Sequence, residues 1–147
     1  MRMVMSKQVF LVLATFLWLA GQPLPAYSAA LIARVSLGDQ MMTVSRDGVV
    51  LHRWKVSTAR AGYVTPRGSY TAKWLSRHHR SHKYDDAPMP YAIFFNGGYA
   101  VHATFDLKRL GRPASHGCIR LHPDNAATLF SMTRAVGLAN TRIVITR

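Results

Sequence analysis

With 147 residues the chain has room for one domain and excludes a second of ordinary size. Its single cysteine excludes an intramolecular disulfide, so the domain has to hold together by packing. Nineteen Lys and Arg stand against six Asp and no Glu, and the net charge of +13 favours polyanions: nucleic acid, anionic headgroups or a carboxylate-rich polymer.

Residues 1–30 have the three parts of a secretory signal. Arg2 and Lys7 open it, residues 9–20 are uncharged and apolar, and Ser28, Ala29 and Ala30 supply a small-residue boundary. A membrane span needs ~20 apolar residues, and this run breaks at Gly21-Gln22-Pro23. A cleaved leader over 1–30 and a mature domain over 31–147 follow, with membrane contact only through a leader left uncleaved. Losing Arg2 and Lys7 leaves seventeen cations against six acids, +11. Export to the periplasm or cell wall sets nucleic acid aside as a partner. An unpaired thiol in an oxidising compartment has to be buried or employed, so Cys118 is the first residue to explain.

The mature part reads mostly as strands. Leu31, Ala33, Val35 and Leu37 alternate with Ile32, Arg34 and Ser36, Gly38-Asp39 offers a turn, and Met42 and Val44 continue the period of two. Asp47-Gly48 is a hairpin signal between residues 41–46 and 49–56. A Gly-, Thr- and Pro-rich loop fills 57–68, and Tyr70, Ala72 and Trp74 alternate along a further strand. Residues 76–90 are polar and lack any period, which predicts a long surface loop over a groove. A buried-type strand at 91–95 turns at Asn96-Gly97-Gly98 into a partner at 99–102. One helix begins at Pro123, with Asp124 in its first turn, Ala126, Leu129, Phe130 and Thr133 on one face and Gly137 as its stop. Residues 141–146 form the last strand. The sum is a mainly β fold, a compact β-sandwich-like domain with one helix packed on it.

The chemistry concentrates in Ser115-His116-Gly117-Cys118-Ile119-Arg120-Leu121. A thiol becomes a strong nucleophile as its thiolate, which needs positive charge or a base beside it. His116 and Arg120 each sit two residues from Cys118, so in an extended chain all three face one way. His102, at the end of the preceding strand, is placed to meet Cys118 across the site. These groups are expected to lower the thiol pKa, Gly117 to permit a tight backbone approach, and amides beside the nucleophile to bind an oxyanion. That is the logic of acyl transfer, by a hydrolase or a transferase.

This constellation closely resembles the YkuD-type L,D-transpeptidase family, whose signature is a histidine, a gap of a dozen residues or more, then Ser or Thr and His-Gly-Cys. Here that is His102 and then Ser115-His116-Gly117-Cys118, with Arg120 in an Ile-Arg-Leu continuation. Val56-Ser57-Thr58 with Thr65-Pro66-Arg67-Gly68, and Met89-Pro90-Tyr91, extend the resemblance over the mature chain. It implies that Cys118 attacks the carbonyl of the third residue of a peptidoglycan stem tetrapeptide, releasing the terminal D-alanine. His102 would serve as base, and an amine on another stem as acceptor, giving a 3→3 cross-link or exchange of the terminal D-amino acid. With water as acceptor the same residues make an L,D-carboxypeptidase; family members also attach or detach a wall-linked lipoprotein. Arg120 would hold a substrate carboxylate or favour the thiolate. No cofactor and no metal are implied. Many relatives have Ser or Gly after the first histidine. Here Ala103 leaves only a backbone carbonyl to orient the imidazole. A basic wall-binding module without activity would be expected to have lost one of these residues, and none is lost.

His78, His79 and His82 form a compact group, but Arg77, Arg80 and Lys83 around them repel a cation, so a basic groove-lining loop is the expectation rather than zinc. Tyr63, Trp74 and Tyr91 are candidates for stacking on sugars, set against the commoner role of strand aromatics in a core. His52 and His122 carry no signal.

Overall fold

A computed structural model describes residues 30–147, so the expected leader lies outside the described residues apart from Ala30. Among the described residues nine strands and one α-helix, besides two single 3-10 turns, follow in order: β1 Leu31–Ser36, β2 Met41–Arg46, β3 Val49–Lys55, β4 Gly68–Thr71, β5 Trp74–Arg80, β6 Pro88–Asn96, β7 Tyr99–Ala103, β8 Ile119–Leu121, α1 Pro123–Val136 and β9 Thr141–Thr146. One sheet has the order β3-β2-β1-β9-β4 and the other β5-β6-β7-β8. Among the described residues no helix is long and apolar enough to cross a membrane.

Period-two alternation builds the core. Leu31, Ala33 and Val35 of β1, Met42 and Val44 of β2, and Ile143 and Ile145 of β9 are buried from the first sheet. Ile93, Phe95, Val101, Ala103, Ile119 and Leu121 meet them from the second, and Ala126, Leu129 and Phe130 from α1. The helix packs on β6 and β7. Its first turn is capped by His122, whose Nδ1 accepts from the Asp124 amide, a role the sequence did not suggest. Gly137 ends it at φ 90°, its N–H reaching the Thr133 carbonyl. The β2–β3 hairpin turns at Asp47 and Gly48, both at positive φ, as Asp-Gly requires.

Two expectations are corrected. Residues 76–90 are not one long loop: β5 carries its polar run Ser76–Arg80 as an edge strand against β6, and only 81–87 is a connection. An edge strand is half solvated, so polar side chains do not prevent pairing; its backbone bonds decide. Tyr70 and Trp74 likewise do not share a strand. β4 ends at Thr71 in the first sheet and β5 begins at Trp74 in the second, with Ala72 and Lys73 crossing between sheets through bonds to Thr141 and Phe94 carbonyls.

The second sheet has two apolar faces, and this positions the site. Residues 93, 101, 103, 119 and 121 face the shared core. Ala92, Phe94 and Ala100 face the other way and pack with Met89 and Cys118 into a separate small cluster. Because β7 and β8 are parallel with His102 opposite Arg120, His102, Arg120 and Cys118 lie on this second face.

Candidate active site

Cys118 immediately precedes β8, beside Ala100 of β7 in the parallel register. The loop ahead of it is braced from within: the Ser115 hydroxyl donates to the Cys118 carbonyl at 2.6 Å and accepts from the Gly117 amide at 3.0 Å. Ser115 is therefore a buried staple of the loop, and the Gly117 amide is already paired with its hydroxyl.

Residues 57–65 brace the loop from outside. Ser57 and Arg120 exchange backbone bonds of 3.0 and 2.8 Å, Ala114 and Ser115 both donate to the Thr58 carbonyl, and the Thr65 hydroxyl donates to the Gly117 carbonyl at 2.8 Å. Buried Gln40 holds this segment in turn, donating to the Thr58 hydroxyl and accepting from the Thr58 amide. The resemblance marked Ser57, Thr58 and Thr65 only as part of a loop; the backbone ties of Ser57 and Thr58 and the hydroxyl tie of Thr65 to the cysteine segment have no local sequence signal, and neither has Gln40.

Gly117 sits at φ 132°, where a Cβ would stand 2.6 Å from Tyr99 Cε1 and 2.8 Å from the Val64 carbonyl oxygen. Gly117→Ala should lower the urea midpoint by the equivalent of at least the ~1–3 kcal/mol that such backbone strain costs, with the clash in addition. An unchanged midpoint in chemical denaturation would show that the loop relaxes around the methyl group.

His102 is buried on β7, and its Nδ1 lies 2.7 Å from the Ala103 carbonyl oxygen. A carbonyl only accepts, so Nδ1 carries the hydrogen and Nε2 keeps its lone pair. The backbone carbonyl at Ala103 thus orients the ring without a side-chain partner. Burial pushes the His102 pKa down to about 4, against the opposing pull of the Ala103 bond and with Arg120 and His79 adding to the fall. The imidazole is neutral at physiological pH.

Burial also pushes the Cys118 thiol up, overcoming the Ala100 backbone bond and Arg120, which pull it down. The expectation of a lowered pKa is corrected: the apolar cluster of Met89, Ala92, Phe94 and Ala100 desolvates the sulfur more than one half-buried guanidinium stabilises its anion. Sγ lies 3.7 Å from the Gly98 carbonyl oxygen, to which the S–H donates.

His116 lines the same cavity but is otherwise engaged. Its Nε2 accepts from the Arg60 guanidinium at 2.9 Å; its ring stacks on Tyr84 at 4.2 Å and meets Tyr63 edge-on at 4.7 Å. Burial, Arg60, Arg120 and Lys83 hold its pKa down. It ties residues 60–63 to the 81–87 connection, a contact invisible in sequence because its three partners lie 32 to 56 positions away.

These parts surround a cavity of about 950 Å³, lined by Cys118, His102, Arg120 and His116, by Arg60 and Tyr63, and by residues of the 81–87 connection, which does lie over a groove as expected. Asp106 pairs with Arg109 at 3.2 Å, whereas Arg60 and Arg120 have no carboxylate partner among the described residues. Of the other aromatics, Tyr91 packs edge-on against Phe130 at 5.7 Å, and Trp74 stands at the sheet edge. His79 and His82 approach each other edge-on at 6.4 Å, and among the described residues no group of three His, Cys, Asp or Glu is placed to hold a metal ion.

A family profile described as the L,D-transpeptidase catalytic domain (YkuD) matches residues 31–145. Among solved structures, an L,D-transpeptidase from Mycobacterium tuberculosis is 26% identical with a TM-score of 0.73, covering 81% of this chain and 58% of its own. One from Mycobacterium smegmatis is 26% identical at a TM-score of 0.72, covering 81% and 59%. An LD transpeptidase solved in complex with imipenem is 29% identical at 0.71, covering 80% and 59%. The chain thus spans just under three fifths of the length of these structures. A search of curated proteins finds no match. With the profile covering its whole described domain apart from the end residues, the chain belongs to the YkuD family of L,D-transpeptidase catalytic domains.

Proposed function

We propose that the protein is a peptidoglycan L,D-transpeptidase working through a Cys118 acyl-enzyme. The observation that carries this reading is a neutral, carbonyl-oriented His102 sharing one sheet face with the chain's single thiol, at a cavity lined by the Arg60 and Arg120 guanidinium groups, neither in a salt bridge among the described residues. His102 Nε2 takes the proton of Cys118 as Sγ attacks the carbonyl carbon of the third stem residue. The resulting oxyanion collapses, the C–N bond to the terminal D-alanine breaks, and the His102 proton passes to the leaving amine. The thioester is then attacked by the side-chain amine of a diaminopimelate on a second stem, with His102 again taking a proton, and the thiol is restored. Thiol and imidazole are both neutral at rest, so charge separates only as the reaction begins. Arg120, opposite His102 in the register, favours the thiolate as it forms and attracts the carboxylates of the stem.

Work on the wall requires export, which the leader over residues 1–30 supplies in this reading. The stem peptides are the partners, and no cofactor enters any step. Incubating the protein with a purified disaccharide-tetrapeptide tests the reading. A dimer lighter than two substrates by one D-alanine marks the 3→3 cross-link; a monomer lighter by one alanyl residue, D-alanine lost and water gained, marks the carboxypeptidase. Unchanged substrate, with no thioester on the protein, would end the proposal.

A further inference from the structure

The row of residues that contains Cys118 continues across the sheet to an aromatic surface that the chemistry does not use. Trp74 of β5 pairs with Phe94 of β6, Phe94 with Ala100 of β7, and Ala100 lies beside Cys118. All four occupy the second face of the sheet. Three inter-strand steps of about 4.8 Å put Trp74 about 14 Å from the cysteine position.

The indole lies flat on Phe94, 3.7 Å between centroids with 2° between planes, and His79 meets its edge at 5.6 Å. Phe94 is buried, so one face of Trp74 is fully used, yet Trp74 remains 44% exposed. β5 is an edge strand, so no further strand covers the other face. A flat aromatic backed by a second ring, held rigid and bare on one side, suits a pyranose: the C–H groups on a sugar face carry partial positive charge and meet the negative face of the ring. Burial and His82 lower the His79 pKa and so favour its neutral form, which can both donate to and accept from a sugar hydroxyl or acetamido group.

We infer that Trp74, with His79 at its edge, is a subsite for the hexosamine that bears the stem peptide. The inference rests on the reading of the cavity as a stem-peptide site, and the lengths agree. Three extended residues span about 10–11 Å, and the lactyl ether joining them to the sugar supplies the rest of the distance from Cys118 to Trp74. A stem acylating Cys118 therefore delivers its sugar to the edge of the sheet. The protein distinguishes glycan-attached stems from free peptides by this contact, and the free face of Trp74 determines the preference.

The test compares kcat/KM for acyl transfer from a disaccharide-tetrapeptide and from the same tetrapeptide without sugar, in the wild type, Trp74→Ala and Trp74→Phe. The wild type should prefer the sugar-bearing form by about tenfold, the scale of one good stacking contact. Trp74→Ala should lose that preference through KM, leave the free tetrapeptide within about twofold, and Trp74→Phe should retain most of it. A wild type indifferent to the sugar, or a Trp74→Ala variant slowed equally on both substrates, overturns the subsite while leaving the transpeptidase reading intact. A wild type that turns over neither substrate removes that reading and the subsite with it.

Discussion

Cys118→Ala should give no covalent adduct with a stem tetrapeptide or with imipenem under conditions where the wild type is fully acylated. The chain has one thiol, so no second sulfur can substitute. Cys118→Ser is the finer probe. Serine keeps the shape and can use the same bonds, but its hydroxyl is far harder to deprotonate than a thiol, and the only base offered is an imidazole whose pKa is held near 4. Turnover should fall below detection while folding is kept, because Cys118 is only partly buried beside the small apolar cluster and serine is nearly isosteric. Intact-protein mass spectrometry reads the adduct directly. An equal yield of adduct on folded Cys118→Ala would place the nucleophile elsewhere.

His102→Ala should slow acylation by ~10²–10⁴-fold, the usual contribution of a positioned base. His116→Ala should keep measurable acylation. The two imidazoles differ in what their Nε2 does: on His102 it is free because Nδ1 donates to Ala103, whereas on His116 it is occupied by Arg60. Loss of His116 would loosen the Tyr63 and Tyr84 contacts over the cavity, so its effect should fall on KM more than on kcat. The pH profile separates the candidates further. Protonation removes the base, so the acid limb of kcat/KM should follow the lowered His102 pKa and fall only near pH 4, with full basicity from about pH 5 upward. A limb near the ordinary histidine value, or a His116 variant dead where the His102 variant is near normal, would reverse the assignment.

Much of this was legible in the sequence. The Asp47-Gly48 turn, the alternation of β1 and β2, the closing strand over 141–146, and the helical face Ala126, Leu129, Phe130 and Thr133 are local patterns, and each appears in the fold. The nucleophile candidate followed from one cysteine in a Gly-containing loop among bases. The polar strand β5 was not legible. Its side chains carry no period, and what fixes it is a backbone ladder to β6, which does not depend on a side-chain pattern.

The sequence by itself determined the family resemblance, the mainly β architecture and the set Cys118, His102, His116 and Arg120, because these depend on residue identity and short-range spacing. Only the tertiary structure decided how those residues differ. Burial by Met89, Ala92, Phe94 and Ala100 raises the thiol that its charged neighbours alone would lower. Arg60 and Tyr84, remote in the chain, engage the ring of His116, which the sequence left beside His102 as a candidate base; and the same sheet face that holds Cys118 carries on to an exposed Trp74. Desolvation and hydrogen-bond partnership are sums over neighbours in space, and no window of sequence contains those neighbours.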